Sequence, residues 1–156
     1  MGKKFLERYF EDLKTAMSPN HNVLDRLVLA KDILVTAQKK KKKVLVIGNG
    51  GSAAIASHMS VDLTKSAKIR AINFNEADLL TCFSNDFGYE HAYAKAIEYY
   101  GDEDDVLIAI SSSGKSANIL NAVKKARETN FKCIITFSGM SPENPLYQHG
   151  DINFWV

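Results

Sequence analysis

Residues 44–52 read Val44-Leu45-Val46-Ile47-Gly48-Asn49-Gly50-Gly51-Ser52. A short unbroken apolar run that ends in glycines is the mark of a strand buried on both faces, the usual condition inside a parallel sheet. The pattern returns downstream, where Val106-Leu107-Ile108-Ala109-Ile110 leads into Ser111-Ser112-Ser113-Gly114-Lys115-Ser116. Around these two runs the strand and helix periods alternate. Helices are expected at 53–64 and 117–128, and further strands at 69–74, 133–137 and 151–156. Two short helices are expected at 77–83 and 89–100, with Ser84-Asn85-Asp86-Phe87-Gly88 between them. This order predicts an α/β fold: a doubly wound, mainly parallel five-stranded sheet.

Upstream of the first strand lie two helical patterns. Phe5, Leu6, Tyr9, Phe10, Leu13 and Met17 recur at helical spacing until Ser18-Pro19-Asn20 interrupts them. A second helix starts near Asn22 or Val23 and carries Leu24, Leu27, Val28, Leu34 and Ala37. The chain therefore divides into a helical segment, residues 1–43, and a sheet core, residues 44–156, within one domain. A loop rich in Gly, Ser and Pro at 139–145 precedes the last strand, and His149 is expected in loop. Ile152-Asn153-Phe154-Trp155-Val156 has no polar tail or covering helix after it, so a further C-terminal helix is expected beyond this sequence.

Composition narrows the function classes. Among 156 residues, 46% are hydrophobic and 24% charged, with a net charge of +2, which is ordinary for a folded domain and unlike a disordered or fibrous chain. Five of the basic residues form the run Lys39 to Lys43. Without it acids outnumber bases, so no spread basic face marks a nucleic-acid binder. The run closes the second helix, where positive charge complements the helix dipole. No apolar stretch approaches the ~20 residues that cross a bilayer, and the N-terminus lacks a signal-peptide core. Cys82 and Cys133 sit among apolar residues and read as reduced, buried side chains of a cytoplasmic protein.

In a doubly wound sheet ligands sit beyond the carboxyl ends of the strands, so the loops 48–52 and 111–116 come first. Small residues let the backbone approach a ligand, serines add donors without bulk, and a helix N-terminus favours an anion. Two such loops in one sheet point to a phosphorylated small molecule; ordinary turn and cap chemistry is the plainer alternative. Gly48 to Ala53 also fits G-x-G-x-x-A, but the acidic ribose partner expected near the end of the second strand has only Glu76 to supply it. Residues 109–116 fit a relaxed A-x-x-x-x-G-K-S phosphate loop, with no strand-end aspartate for Mg²⁺. No nucleotide cofactor is expected.

The longer pattern is more specific. Gly48-Asn49-Gly50-Gly51-Ser52-Ala53, His58, residues 84–90 and residues 101–118 match in order and spacing. From residue 44 to 156 the chain resembles the sugar isomerase (SIS) domain, and within it the sedoheptulose 7-phosphate isomerases. The resemblance implies a flavodoxin-like sheet and a site for a phosphorylated sugar. It assigns Asn49, Gly50, Gly51, Ser52, Asn85 and Asp86 to the sugar-phosphate site and Ser111, Ser112, Ser113 and Ser116 to the phosphate. His58 falls on a metal-ligand position, with zinc or another divalent ion as the metal. Asp62 falls on the position of a glutamate that serves as ligand and catalytic base. His58 and Asp62 stand four residues apart on one helix face; outside the resemblance, such a pair is an ordinary polar patch or local ion pair. The N-terminal helices suit tetramer packing.

Three positions depart from the family pattern. Asp62 is one methylene shorter than the usual glutamate. Lys115 replaces the usual asparagine. The glutamine and second catalytic histidine of the family lie on a helix after the last strand, beyond residue 156. The expected function is aldose–ketose isomerisation of a phosphosugar, with sedoheptulose 7-phosphate as substrate and an enediol as intermediate. The alternatives are a non-catalytic sugar-phosphate or partner-binding SIS protein, of the DnaA initiator-associating type, and more remotely a nucleotide binder.

Overall fold

The computed structural model describes residues 2–155; Met1 and Val156, the latter expected to end the last strand, lie outside the described residues. Two helices come first, α1 (Gly2–Ala16) and α2 (His21–Lys39), the second capped by Asn20, whose side chain accepts from the Val23 N–H at 3.0 Å. Then follow β1 (Val44–Gly48), α3 (Gly51–Lys65), β2 (Ala71–Ile72), α4 (Ala77–Phe87), a 3₁₀ turn (Tyr89–His91) and α5 (Ala92–Tyr100). The last part is β3 (Val106–Ser111), α6 (Ala117–Glu128), β4 (Cys133–Ser138), α7 (Pro145–His149) and β5 (Ile152–Trp155). The strands lie in the order β2-β1-β3-β4-β5, and every pair is parallel. β1 and β3 run side by side with Val44 opposite Val106 and Gly48 opposite Ile110.

Side chains that alternate along each strand feed two separate cores. Leu45, Ile47, Leu107, Ala109 and Ile134 meet Tyr93, Ile97, Ile119 and Ala122 from α5 and α6 on one face. Val44, Val46, Val106, Ile108 and Ile135 meet Ala30, Ala37 and Ala56 from α2 and α3 on the other. Both faces are covered, which is why Val44 to Ile47 and Val106 to Ile110 are apolar at every position.

Four local expectations need correction. The second strand pairs over Ala71 and Ile72 alone, not 69–74. The Asn73 side chain accepts from the Asn75 N–H at 3.1 Å and so turns the chain out of the ladder. α4 continues through Asn85, Asp86 and Phe87 because Phe83 and Phe87 meet edge-on, one helical turn apart, and Gly88 at φ 83° ends the helix. Cys82 is exposed, while Cys133 is buried as expected. On α4, Leu79, Leu80 and Phe83 take the inward face, and Cys82 falls outside that arc. His149 ends a short helix, α7, whose cap is Asn144 and whose first residue is Pro145.

The lysine run does more than complement a dipole. Only Lys39 belongs to α2; Lys41 is left-handed at φ 57°. Lys40 Nζ lies 3.4 Å from Asp104, and Lys42 Nζ donates to the Glu103 carbonyl at 2.7 Å. Lys43 bridges Asp102 and the fully buried Asp105, the latter at 2.8 Å. Asp105 also accepts the backbone N–H groups of Lys43 and Asp102, at 2.7 and 2.9 Å. Among the described residues no helix is long and apolar enough to cross a membrane.

Candidate functional site

In the order 2-1-3-4-5 the connections leave in opposite directions from β1 and β3, so a crevice opens between their carboxyl ends. The loops after Gly48 and after Ser111 occupy the two sides of that crevice. Each runs directly into a helix, α3 and α6, so the backbone N–H groups at both helix starts face the same region of the sheet edge.

The serine loop is rigidly built. Ser111 is buried and its hydroxyl lies 3.3 Å from that of Ser116; the Gly114 N–H donates to the Ser111 carbonyl at 3.0 Å. Gly114 has φ 63°, and a Cβ there would come within 1.9 Å of the Asn144 Oδ1. Only glycine fits that backbone and that gap. The loop is buttressed from the β4–α7 connection, where the Gly139 N–H donates to Ser112 O at 2.9 Å and the Leu146 N–H to Gly114 O at 3.1 Å. Ser112 is exposed, Ser113 and Ser116 half-buried, and Lys115 exposed.

The glycine loop is held by neutral groups. A Cβ on Gly48 would strike the Ser52 carbonyl oxygen at 2.6 Å, so glycine lets α3 start close against the strand. The Tyr93 hydroxyl donates to Gly48 O at 2.6 Å from within the core, and burial pushes its pKa up to about 12. Asn75 donates to Ala53 O at 2.8 Å and to the Ser57 hydroxyl at 2.7 Å. Asn49 exchanges hydrogen bonds with the buried Asn118 at the start of α6, at 2.9 and 2.8 Å, and accepts a third from Tyr89 at 3.0 Å. Asn118 thus joins the two loops across the crevice.

The predicted residues form three groups. Asn49, Gly50, Gly51 and Ser52 sit with Ser111, Ser112, Ser113 and Ser116 at the two adjacent strand ends. Asn85 and Asp86 lie exposed at the end of α4, hydrogen-bonded to each other at 2.9 Å, and Tyr89 just beyond them reaches Asn49. His58 and Asp62 pair on the outer face of α3, Nε2 to Oδ2 at 3.3 Å, with their side chains 80% and 60% exposed. They line a mainly apolar groove of about 720 Å³ with Ala54, Ile55, Met59, Leu63 and Ala67, and no residue of either loop lines it. The positions that sequence reasoning left without a role are Tyr89, Tyr93, Asn75, Asn118 and Asn144. Asn118 and Tyr89 stood inside the matched segments, but no local pattern announces a contact 69 or 40 residues away.

A parallel 2-1-3-4-5 sheet with two donor-rich loops at its switch point defines a doubly wound α/β domain with a crevice for a small ligand, and the SIS domain model matches residues 8–138: the chain belongs to that family. Within the family the similarity is to phosphoheptose isomerases. The chain is 32% identical over 151 residues to the "Phosphoheptose isomerase" of Campylobacter jejuni, covering 92% of this chain and 81% of that one. Among solved structures, a phosphoheptose isomerase from Francisella tularensis matches with TM-score 0.86 and 28% identity over 100% of this chain and 85% of the other. The phosphoheptose isomerase from Neisseria gonorrhoeae matches with TM-score 0.85 and 27% identity, covering 99% and 84%.

Proposed function

We propose that this chain is an isomerase of the phosphoheptose type, interconverting sedoheptulose 7-phosphate and an aldoheptose 7-phosphate. The observation that carries the reading is the adjacency of the two loops at the β1/β3 switch, in a chain whose similarity to phosphoheptose isomerases runs nearly end to end. In this reading the serine loop, with the N-terminus of α6, binds the phosphate through hydroxyl and backbone donors. Asn49, Gly50, Gly51 and Ser52 face the sugar chain, and Asn85 and Asp86 approach it from α4. A base removes the proton beside the carbonyl to give an enediol, and a proton returns at the neighbouring carbon. Asp62 is our candidate base; such a group contributes about 10²–10⁴ to the rate.

The zinc implied by the resemblance meets an incomplete donor set. His58 and Asp62 supply two donors, and among the described residues no group of three or more His, Cys, Asp or Glu is placed so that it could hold a metal ion. A catalytic zinc takes three protein ligands. The described residues of one chain therefore do not complete a zinc site, and no step here passes through a metal.

Assembly is part of the proposal. α1 has no buried residue, and Phe5, Leu6, Tyr9, Phe10 and Leu13 are exposed along it and Met17 just after it, with charges of both signs between them. An apolar stripe of that length calls for cover, and we propose a second copy of the chain, in a homo-tetramer. A cytoplasmic location suits this reading, since Cys82 and Cys133 are both unpaired thiols.

The test is exchange with solvent. The protein should move deuterium from water into the substrate at C1 or C2, and Asp62→Asn should abolish uptake while sedoheptulose 7-phosphate still raises the melting temperature. Uptake that survives Asp62→Asn overturns the base. A second reading, a sugar-phosphate binder without turnover, draws on the exposed Asp62, whose groove shares no lining residue with the loops. Binding without any deuterium uptake would favour it.

A further inference from the structure

Asn49 stands at the centre of the loop network, and its bonding capacity can be counted. A carboxamide has two lone pairs on oxygen and two N–H donors. The orientation of the pair is fixed from outside. The backbone N–H of Ile119 donates to Asn118 Oδ1 at 3.0 Å, so that atom must be the oxygen. Asn118 Oδ1 then accepts from Asn49 Nδ2, and Asn118 Nδ2 must donate to Asn49 Oδ1. The Tyr89 hydroxyl takes the second lone pair of that same oxygen. Asn49 is thereby left with no free acceptor. One Nδ2–H is given to Asn118, and the other has no partner among the described residues, on a half-buried residue at the mouth of the crevice.

We propose that Asn118 and Tyr89 are positioning residues that make Asn49 a one-sided donor, whose remaining Nδ2–H contacts a lone pair on a carbonyl or hydroxyl oxygen of the sugar chain. Asn118 does this from the first turn of the helix that follows the serine loop, so the phosphate end and the carbon-chain end of the site share one rigid joint. The role rests on the isomerase reading above.

The experiment compares turnover of sedoheptulose 7-phosphate with affinity for inorganic phosphate, which needs only the serine loop. Tyr89 is exposed, so Tyr89→Phe removes one hydrogen bond without opening the core. It should lower kcat about fivefold, the worth of one hydrogen bond, with phosphate affinity and melting temperature unchanged. Asn118→Ala should lower kcat by about 10²-fold, the usual effect of a misplaced group at a reacting centre. Added to Asn49→Ala, either substitution should cost nothing further, because both act through Asn49. A kcat unchanged in Tyr89→Phe, or losses that add to that of Asn49→Ala, overturns the proposal. So does a parallel loss of phosphate affinity and thermal stability with kcat intact, which is how a purely structural role would read. A wild-type protein that binds phosphate but never turns the sugar over overturns the isomerase reading itself, and with it this role.

Discussion

The two ends of β1 and β3 are built from different chemistry. At their amino ends Lys43, Asp102 and Asp105 form a charged cluster, closed by two backbone N–H groups and docked under the lysine run. At their carboxyl ends, 48–52 and 111–116, the network is made of amides, hydroxyls and glycines. At the amino end charge is neutralised inside the protein. At the carboxyl end donors are held in place by neutral neighbours, so an incoming anion meets N–H and O–H groups that no internal carboxylate has taken. The same two strands thus carry a fastening at one end and the proposed binding site at the other. Changes at the amino end should therefore alter stability and spare ligand binding, and changes at the carboxyl end should do the reverse.

The largest effect tests the fastening. Asp105→Ala removes a fully buried carboxylate and leaves the ammonium of Lys43, itself mostly buried, without its inner partner. Breaking a buried pair in this way costs about 3–5 kcal/mol, read as a shift in urea midpoint. The folded fraction should bind inorganic phosphate with wild-type affinity. A loss of affinity beyond the unfolded fraction would show that the two ends are coupled. Next in size is Gly114→Ala at the opposite end. A left-handed backbone and a Cβ driven into Asn144 cost about 1–3 kcal/mol. Phosphate affinity should fall at least about tenfold, because the loop must move away from the geometry its donors share.

The charged end should also show itself in pH. Burial disfavours the Lys43 ammonium, but its hydrogen bonds to Asp102 and Asp105, and their charges, outweigh this and hold its pKa above the usual 10.5. A raised lysine pKa gives stability that is complete below the unfolded value and is lost as pH rises through the folded one. Asp102 is the converse: the hydrogen bond from Lys43, then its charge, lowers its pKa below 3.8. Its contribution is present above 3.8 and lost as pH falls through the depressed value. The urea midpoint should therefore decline above pH 10.5, and Lys43→Met should flatten that decline. An alkaline limb identical in Lys43→Met would detach the cluster from stability.

What could be read from the sequence follows the same division. Val44 to Ile47 and Val106 to Ile110 are buried on both faces, as is Cys133 to Ile135, so burial and the apolar run are one signal, and the sheet class follows. The loops are legible because glycines and serines end two apolar runs, at the point where the strand order reverses. β2 is shorter than its apolar pattern because Asn73 and Asn75 bond locally and across to α3, a choice that composition does not reveal. Cys82 is exposed despite its apolar neighbours in sequence, because the helix turns it outward from the face of Leu79, Leu80 and Phe83. α7 is too short to show a period, although Asn144-Pro145 is a readable start. The pairing of Asn49 with Asn118, and of the lysine run with the acidic loop at 102–105, joins segments about 60 to 70 residues apart. Only the assembled sheet brings such partners together.

The smallest expected effect concerns Lys115, a charge set into the neutral end where the resemblance implies an asparagine. Its side chain is exposed, and among the described residues it forms no ion pair, so nothing holds its ammonium against the site. Lys115→Asn should leave the melting temperature unchanged, since an exposed substitution of this kind stays within about 0.5 kcal/mol. Its influence on an anion must then be long-range and screened. At about 0.01 M ionic strength the Debye length is about 30 Å, and the variant should bind inorganic phosphate a few-fold more weakly; at about 1 M, with a length of about 3 Å, the difference should vanish. A deficit that persists at high salt would mean that Lys115 touches the phosphate directly. The carboxyl end would then carry a charged contact of its own, and the contrast between the two ends of the strands would narrow to the burial of the charge alone.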